Sequence, residues 1–154
     1  MKLAFDTSVL VAAILEGHPH HHRTGPWVRA VTSKQADALI SWHAAAETWS
    51  VLTRLPGPHR LTPPAAGLVL DRLLEVFRPV EMTGDVYRAA FRRCAERGLR
   101  SGALFDALHL LSAEAAGVDG FVTFNRTDFE ALRSEGSPEI LVPPDPPGFP
   151  HLSA

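Results

Sequence analysis

The sequence predicts an α/β fold in which a parallel five-stranded sheet is flanked by helices, giving three α/β/α layers. Two observations carry this prediction. Short apolar runs alternate with longer segments of helical periodicity, and strands joined by helical crossovers run parallel and are covered on both faces. The chain has 154 residues, with 45% hydrophobic and 21% charged residues. Such a length and composition are those of one ordinary globular domain.

The five short apolar runs are predicted to be strands. They cover residues 3–5, 38–41, 79–82, 120–123 and 139–142. Helical periodicity fills the gaps between them and predicts helices over 8–16, 20–33, 43–54, 63–77, 84–97, 102–116 and 127–134. Pro63, Pro64 and Thr83 mark helix starts, and Gly98 and Gly117 mark helix ends.

One domain is expected over residues 1–142, followed by a Pro-rich tail over residues 143–154. The tail prolines exclude a helix or a central strand, so an extended tail that packs on the surface or touches a partner is expected. Apolar runs fall short of the roughly 18 residues that a membrane-spanning helix needs, and the N-terminus lacks a signal-peptide pattern. We therefore expect a cytoplasmic protein without a membrane partner. The single cysteine, Cys94, fits a reducing compartment.

Four acidic residues are expected to converge on one edge of the sheet. Asp6 ends the first strand, Asp128 follows the fourth, and Glu47 and Asp106 lie in otherwise apolar helices. In open parallel sheets, ligands bind beyond the carboxyl ends of the strands. Each acid also has a structural explanation: Asp6 and Asp128 could cap helices, and Glu47 could pair with Arg54.

Asp106 is the hardest of the four acids to explain structurally. No Lys or Arg lies three or four residues from it on either side. Burying an uncompensated charge is so costly that proteins pair it, protonate it or give it a metal. One site shared by all four acids explains them with a single cause.

Four segments resemble, in order and spacing, the motifs of the PIN-domain family. They are 4-AFDTSVLVAAI-14, the helix that carries Glu47, 102-GALFDALHLLSA-113 and 122-VTFNRTDF-129. Within the family, the short length and the Asp-Thr-Ser start are most similar to VapC-type toxins, the ribonuclease halves of toxin–antitoxin pairs. The resemblance implies a five-stranded parallel sheet and a metal-dependent endoribonuclease. It also implies a homodimer inhibited by a cognate antitoxin protein.

By motif position, the resemblance implies that Asp6, Glu47, Asp106 and Asp128 bind the metal. Thr7, Thr123 and Asn125 are then polar support for these acids. Carboxylate oxygens suit Mg²⁺ or Mn²⁺, and such an ion can activate a water that hydrolyses an RNA phosphodiester. We expect Asp6 and Asp106 to be direct ligands. Glu47 could bind a second ion or orient the attacking water, and Asp128 could bind through water or hold the other ligands in place.

RNA binding needs cations near these acids, because the net charge of −2 gives no global attraction to a polyanion. Arg97 and Arg100 precede the Asp106 helix, and Arg126 lies within the fourth motif. Arginine can hold phosphate oxygens bidentately. These three residues are the predicted phosphate contacts.

Other functions and sites fit the sequence less well. An aspartyl phosphatase would carry a second Asp where Ser8 stands, and there is no Gly-rich phosphate loop. A non-catalytic PIN-like scaffold or RNA-binding protein is the alternative function. The cluster 18-HPHHH-22 is interpreted as structural or solvated rather than as a zinc or nickel site. His109 is predicted to be a packing histidine with a local hydrogen bond, and cooperation with Asp106 is the alternative.

The predicted helices at 20–33 and 43–77 carry more apolar residues than one sheet face needs. Trp27, Trp42, Trp49 and Leu52 are among them. Some of these side chains are therefore expected to form a homodimer interface or a groove for the antitoxin.

Overall fold

A computed structural model describes residues 1–144 and contains one five-stranded sheet. The strands are β1 (Lys2–Phe5), β2 (Asp37–Ser41), β3 (Arg78–Val80), β4 (Gly120–Val122) and β5 (Glu139–Leu141). Their order across the sheet is β3-β2-β1-β4-β5, and every neighbouring pair is parallel. The predicted fold class and all five predicted strands are confirmed, with strand ends shifted by one or two residues.

Seven α-helices join and flank the strands in this part of the chain, as the sequence predicts. They are α1 (Thr7–Ile14), α2 (His21–Thr32), α3 (Trp42–Arg54), α4 (Pro63–Val76), α5 (Gly84–Arg97), α6 (Ala103–Ala115) and α7 (Arg126–Leu132). Thr62 and Thr83 cap α4 and α5, each accepting a backbone N–H through its hydroxyl. A short 3-10 helix at Gly57–His59, between α3 and α4, is not predicted from the sequence.

The strands bury alternate residues in two separate cores. Leu3, Ile40 and Val122 pack against the layer formed by α1 to α4. Leu39 and Phe121 pack against the opposite layer, formed by α5 to α7. A sheet covered on both faces needs strands that are apolar at every position, which is why these strands read as short continuous apolar runs rather than as alternating ones.

Two sequence predictions concern the C-terminal tail and the absence of a membrane-spanning helix. The tail predicted over residues 143–154 lies outside the described residues from residue 145 onward, so its contacts and the domain boundary at residue 142 stay predictions. Within residues 1–144, every helix is too short or too polar to cross a membrane.

Gly120 in β4 lies where strand packing leaves no room for a side chain. A Cβ atom there would lie 2.6 Å from Leu141 Cδ1 and 2.9 Å from Leu3 Cδ2. We expect Gly120→Ala to lower the free energy of unfolding by about 1–3 kcal/mol, because the buried Leu3 side chain must shift to relieve the overlap. Urea denaturation measures this change.

Gly67, in the interior of α4, provides the matched control. A Cβ atom at Gly67 meets nothing within 4 Å, so Gly67→Ala is expected to leave stability unchanged or to raise it by up to about 1 kcal/mol. A Gly120→Ala variant as stable as the Gly67→Ala variant would contradict the packing argument.

Candidate active site

The carboxyl ends of β1, β2 and β4 meet at one edge of the sheet. Asp6 follows β1, Ser41 ends β2, and Thr123 follows β4. All three side chains are buried, at 3%, 6% and 0% exposure respectively. The parallel register therefore brings polar groups that are distant in sequence into one buried cluster.

Asp6 is oriented by two hydroxyl groups. Ser8 Oγ donates to Asp6 Oδ2 at 2.6 Å, and Thr123 Oγ1 donates to the same oxygen at 2.8 Å. The backbone of Asp6 occupies the N-cap position of α1, but its side chain makes no capping hydrogen bond. The capping explanation for Asp6 therefore fails, because its carboxylate is held by Ser8 and Thr123 instead.

Glu47 of α3 is held by residues of two other helices. Thr7 Oγ1 of α1 donates to Glu47 Oε2 at 2.6 Å, and His109 Nε2 of α6 lies 3.1 Å from the same oxygen. The hydrogen bond from His109, together with that from Thr7, lowers the pKa of Glu47 to about 2 against the opposing effect of burial. Glu47 is therefore ionised at neutral pH, and its partners are not the Arg54 that the sequence suggested.

His109 links Glu47 to the end of β2. Its Nδ1 lies 2.9 Å from Ser41 Oγ, and Ser41 Oγ accepts the backbone N–H of Ala44 at 2.9 Å. When the Ser41 hydroxyl donates to Nδ1, the neutral ring carries its proton on Nε2 and donates it to Glu47. The prediction of a local hydrogen bond for His109 is wrong, because its side-chain partners lie on β2 and α3.

Asp106 faces the other three acids. Burial, together with the charges of Asp6, Asp128 and Glu47, raises its pKa to about 6 against the opposing effect of His109. These charges act over short distances only. The other three predicted acids therefore all lie close enough to Asp106 for their charges to raise its pKa, and a metal site shared by the four stays a prediction.

Asp128 and Asn125 lie at the exposed rim of this cluster. Asp128 sits in the first turn of α7, and Asn125 occupies the N-cap position without a side-chain capping bond. The backbone N–H of Asn125 donates to Thr123 Oγ1 at 2.9 Å. Thr123 therefore connects the start of α7 to Asp6. The metal-binding role of Asp128 and the supporting role of Asn125 stay predictions.

The three arginines predicted to contact phosphate differ in their surroundings. The Arg97 guanidinium donates to the backbone oxygens of Ala131 and Arg133 and to Ser134 Oγ at the end of α7. Arg126 donates to the backbone oxygen of Ile140 at 2.9 Å, and Arg100 is exposed. Arg97 thus ties α5 to α7, and phosphate contact by any of the three stays a prediction.

His43 adds an imidazole that sequence reasoning missed. Its ring stacks on Phe105, with centroids 5.2 Å apart, and lies 5.1 Å from the ring of His109. Burial, with a contribution from His109, lowers the pKa of His43 against the effect of Glu47. One ligand atom from each of His43, Glu47 and His109 lies within 4.8 Å of the others. The available signal was spacing, since His43 precedes Glu47 by one helical turn.

Sequence reasoning also missed the roles of two serines. Ser8, two residues after Asp6, accepts the backbone N–H of Phe124 at 3.1 Å in addition to donating to Asp6. Ser41 serves both as the N-cap of α3 and as the partner of His109. The position of Ser8 in the first turn after Asp6 was a signal, whereas nothing in the sequence pairs Ser41 with His109.

The His-rich segment 18–22 packs beside the acidic cluster. The His20 ring stacks on Phe124 with centroids 4.6 Å apart, and His21 Nδ1 lies 2.8 Å from the backbone oxygen of Ala12. A cavity of about 450 Å³ is lined in part by His18 and His20 of this segment and by Thr7, Ser8, Phe124 and Asn125. These contacts agree with the structural interpretation of the histidines.

Comparison with known proteins identifies a family and several relatives that are similar to this chain. The PIN-domain family model matches residues 3–134. Ribonuclease VapC40 of Mycobacterium tuberculosis is 37% identical over 115 residues, which cover 75% of this chain and 81% of the relative.

Solved structures show the same fold at low sequence identity. M. tuberculosis VapC20, described as a sarcin-ricin loop cleaving toxin, matches with a TM-score of 0.67 at 24% identity over 88% of this chain and 99% of that chain. Rickettsia felis VapBC2, solved with a fragment of its promoter DNA, matches with a TM-score of 0.66 at 18% identity over 92% and 98%.

The titration of Asp106 makes the stability of the metal-free protein pH-dependent. Its pKa rises from 3.8 to about 6 on folding, so the folded chain binds the proton more tightly and stability falls as pH rises between these values. Asp106→Asn mimics the protonated form. In EDTA, we expect it to be more stable than wild type by up to about 1–2 kcal/mol at neutral pH, with no advantage near pH 4. Urea denaturation at both pH values measures the difference.

Asp71→Asn, at an exposed position on α4, is the control and should change stability little at either pH. If Asp106 were instead paired with a buried cation, Asp106→Asn would be destabilised by roughly 3–5 kcal/mol at neutral pH. That result would refute the carboxylate cluster.

Proposed function

The chain belongs to the PIN-domain family, and we propose that it is a metal-dependent endoribonuclease, the toxin of a type II toxin–antitoxin pair. One observation in this chain carries the proposal: burial and the charges of Asp6, Asp128 and Glu47 together raise the pKa of Asp106. The 37% identity to ribonuclease VapC40 supports RNA as the substrate.

The donor set of the cluster fits a hard divalent cation. Carboxylate oxygens are the ligands that Mg²⁺ and Mn²⁺ prefer, and mutual repulsion among the acids is relieved by a bound cation. Asp6 and Asp106 are proposed as direct ligands, with Glu47 and Asp128 completing or supporting the site. When bound, such an ion acts as a Lewis acid that lowers the pKa of water and offsets phosphate charge.

The residues of the chain supply orientation. Ser8 and Thr123 fix the Asp6 carboxylate in one orientation, so little reorganisation is needed when the substrate binds. Glu47 stays ionised because of its His109 and Thr7 hydrogen bonds. It is therefore proposed to orient the attacking water and to accept a hydrogen bond from it. Thr7 serves this chemistry by holding Glu47.

Phosphate groups of the RNA are proposed to contact arginines at the rim of the cluster. Arg100 is exposed just before α6, and Arg126 begins α7, which carries Asp128. Arg97 already donates to the end of α7, so its contribution is expected to be smaller. Guanidinium groups beside the acids would offset the repulsion between carboxylates and RNA.

An apolar groove between α1, α2 and α4 is proposed as the antitoxin site. It encloses about 390 Å³ and is lined mainly by apolar side chains, among them Leu10, Ile14, Val28, Leu68, Val69 and Val76. Leu68 is 68% exposed in this chain, and such a patch is typical of a binding surface. The occupant is proposed to be an amphipathic helix of the antitoxin, which fits a groove of this kind. The Rickettsia felis relative was solved as a VapBC pair.

Two pairs of exposed aromatic side chains, on α3 and α5, are proposed to contribute to the homodimer interface. Trp42 and Trp49 lie two turns apart on α3, and Tyr87 and Phe91 lie one turn apart on α5. All four side chains are exposed, whereas Trp27 and Leu52, which the sequence also suggested for an interface, are buried in the core. Exposed aromatic residues are enriched at protein interfaces.

Asp106→Asn is expected to abolish metal-dependent RNA cleavage, because it removes a metal ligand while keeping the size of the side chain. The measurement incubates a mixed RNA pool with wild type or variant in Mg²⁺ or Mn²⁺, with EDTA reactions as blanks. Asp71→Asn is the matched control and should cleave like wild type. Wild-type protein that binds RNA without cleaving any of the pool would favour the non-catalytic alternative.

Leu68→Glu is expected to weaken antitoxin binding at least tenfold, or about 1.4 kcal/mol, because it places a charge in the apolar groove. Titration calorimetry with the cognate antitoxin measures the affinity. Phe91→Glu is the reciprocal control and should disturb dimerisation in sedimentation experiments while leaving antitoxin affinity unchanged. Wild-type affinity in Leu68→Glu would place the antitoxin elsewhere.

A further inference from the structure

His43, Glu47 and His109 form a group whose ligand chemistry differs from that of the four acids. It offers two imidazole nitrogens and one carboxylate oxygen, all within 4.8 Å of one another. Imidazole suits Zn²⁺ and related transition metals, whereas Mg²⁺ prefers oxygen ligands throughout. Two His and one Glu, with a water in the fourth position, are a known ligand set of zinc. We propose that these three residues form a Zn²⁺ site that overlaps the acidic cluster at Glu47.

The backbone presents two of the ligands together. His43 and Glu47 lie at positions i and i+4 of α3, so both side chains project from one face of the helix. His109 comes from α6, which packs against α3. Because the two helices pack against each other, the three ligand atoms already lie close together without the metal.

The groups around the three ligands match those that support metal-binding residues. His109 is 3% exposed, and its Nδ1 lies 2.9 Å from Ser41 Oγ. A His that binds metal through Nε2 carries its proton on Nδ1 and donates it to such an acceptor. Ser41 Oγ can accept that hydrogen bond when its own hydroxyl proton rotates away. Thr7 Oγ1, which donates to Glu47 at 2.6 Å, likewise fixes the ligating carboxylate.

The metal-free contacts show which bond the ion would replace. His109 Nε2 and Glu47 Oε2 lie 3.1 Å apart in a hydrogen bond, and this separation is compatible with two ligands of one tetrahedral ion. The His43 ring stacks on Phe105 with 5.2 Å between centroids, and it would supply the third ligand. Zn²⁺ would therefore take the place of the proton shared by His109 and Glu47.

Zn²⁺ bound at this site would occupy Glu47, which would then no longer be available to the proposed Mg²⁺ site of the four acids. The next expectation rests on the proposed ribonuclease function. Zn²⁺ should inhibit Mg²⁺-dependent cleavage by wild type, and it should inhibit cleavage by the His43→Gln variant less. Zn²⁺ binding itself requires no cleavage activity, so a binding measurement separates failure of the zinc site from failure of the proposed function.

The test measures Zn²⁺ binding to the full chain, stripped with EDTA and free of any affinity tag, by titration calorimetry. His43→Gln is the deciding variant, because His43 is only partly buried and Gln keeps a polar side chain there. We expect His43→Gln to weaken Zn²⁺ binding at least about tenfold. Cu²⁺ electron paramagnetic resonance supplies a second signature: the wild-type spectrum should show imidazole nitrogen coupling that is reduced in His43→Gln.

Two control variants separate this site from its neighbours. His18→Ala/His20→Ala removes imidazoles from the His-rich segment, and Asp106→Asn removes an acid from the cluster. Both should keep tighter Zn²⁺ binding than His43→Gln. Unchanged Zn²⁺ affinity in His43→Gln, or an equal loss in either control, would overturn the proposal.

Discussion

Mutual repulsion among carboxylates at one sheet edge is the constraint on which the arrangement of this molecule depends. Asp6 is buried at 3% exposure, and burial and neighbouring charges raise the pKa of Asp106 to about 6. A fold gains no stability from such crowding, so the surrounding hydroxyl groups must hold the charges in place. Ser8, Thr7 and Thr123 each donate to one of the acids. The rigid parallel sheet below them keeps these donors in register.

Glu47 and Asp106 illustrate how environment separates chemically similar groups. Glu47 receives two hydrogen bonds to one oxygen, and its pKa falls to about 2. Asp106 is desolvated beside like charges, and its pKa rises instead. Two carboxylates in one site can thus differ in protonation at mildly acidic pH, and such divergence is typical of functional sites. The difference arises in part because the hydrogen bond from His109 stabilises the ionised form of Glu47.

The sequence predicted the fold well because its signals are local and repeated. Apolar runs, prolines at helix starts and Gly98 at a helix end carry that information, and the observed boundaries follow them closely. Site geometry depends instead on which distant residues the sheet brings together. Nothing local to Ser41 indicates its bond to His109, which lies 68 residues away. The hydrogen bonds from Arg97 to the end of α7 also join residues distant in sequence. The sequence could therefore suggest a phosphate contact for Arg97 but not these hydrogen-bond partners.

The acids of the cluster are divided between the two helical layers. Glu47 belongs to α3, on the side of α1 to α4, whereas Asp106 and Asp128 belong to α6 and α7, which α5 braces through Arg97. The apolar groove lies in the first of these layers, between α1, α2 and α4. A partner seated there would contact α1, α2 and α4, and of these helices α1 carries Thr7, whose hydroxyl donates to Glu47. The groove and the acidic residues are thus joined through one helix, because α1 lines the groove at Leu10 and Ile14 and reaches Glu47 through Thr7.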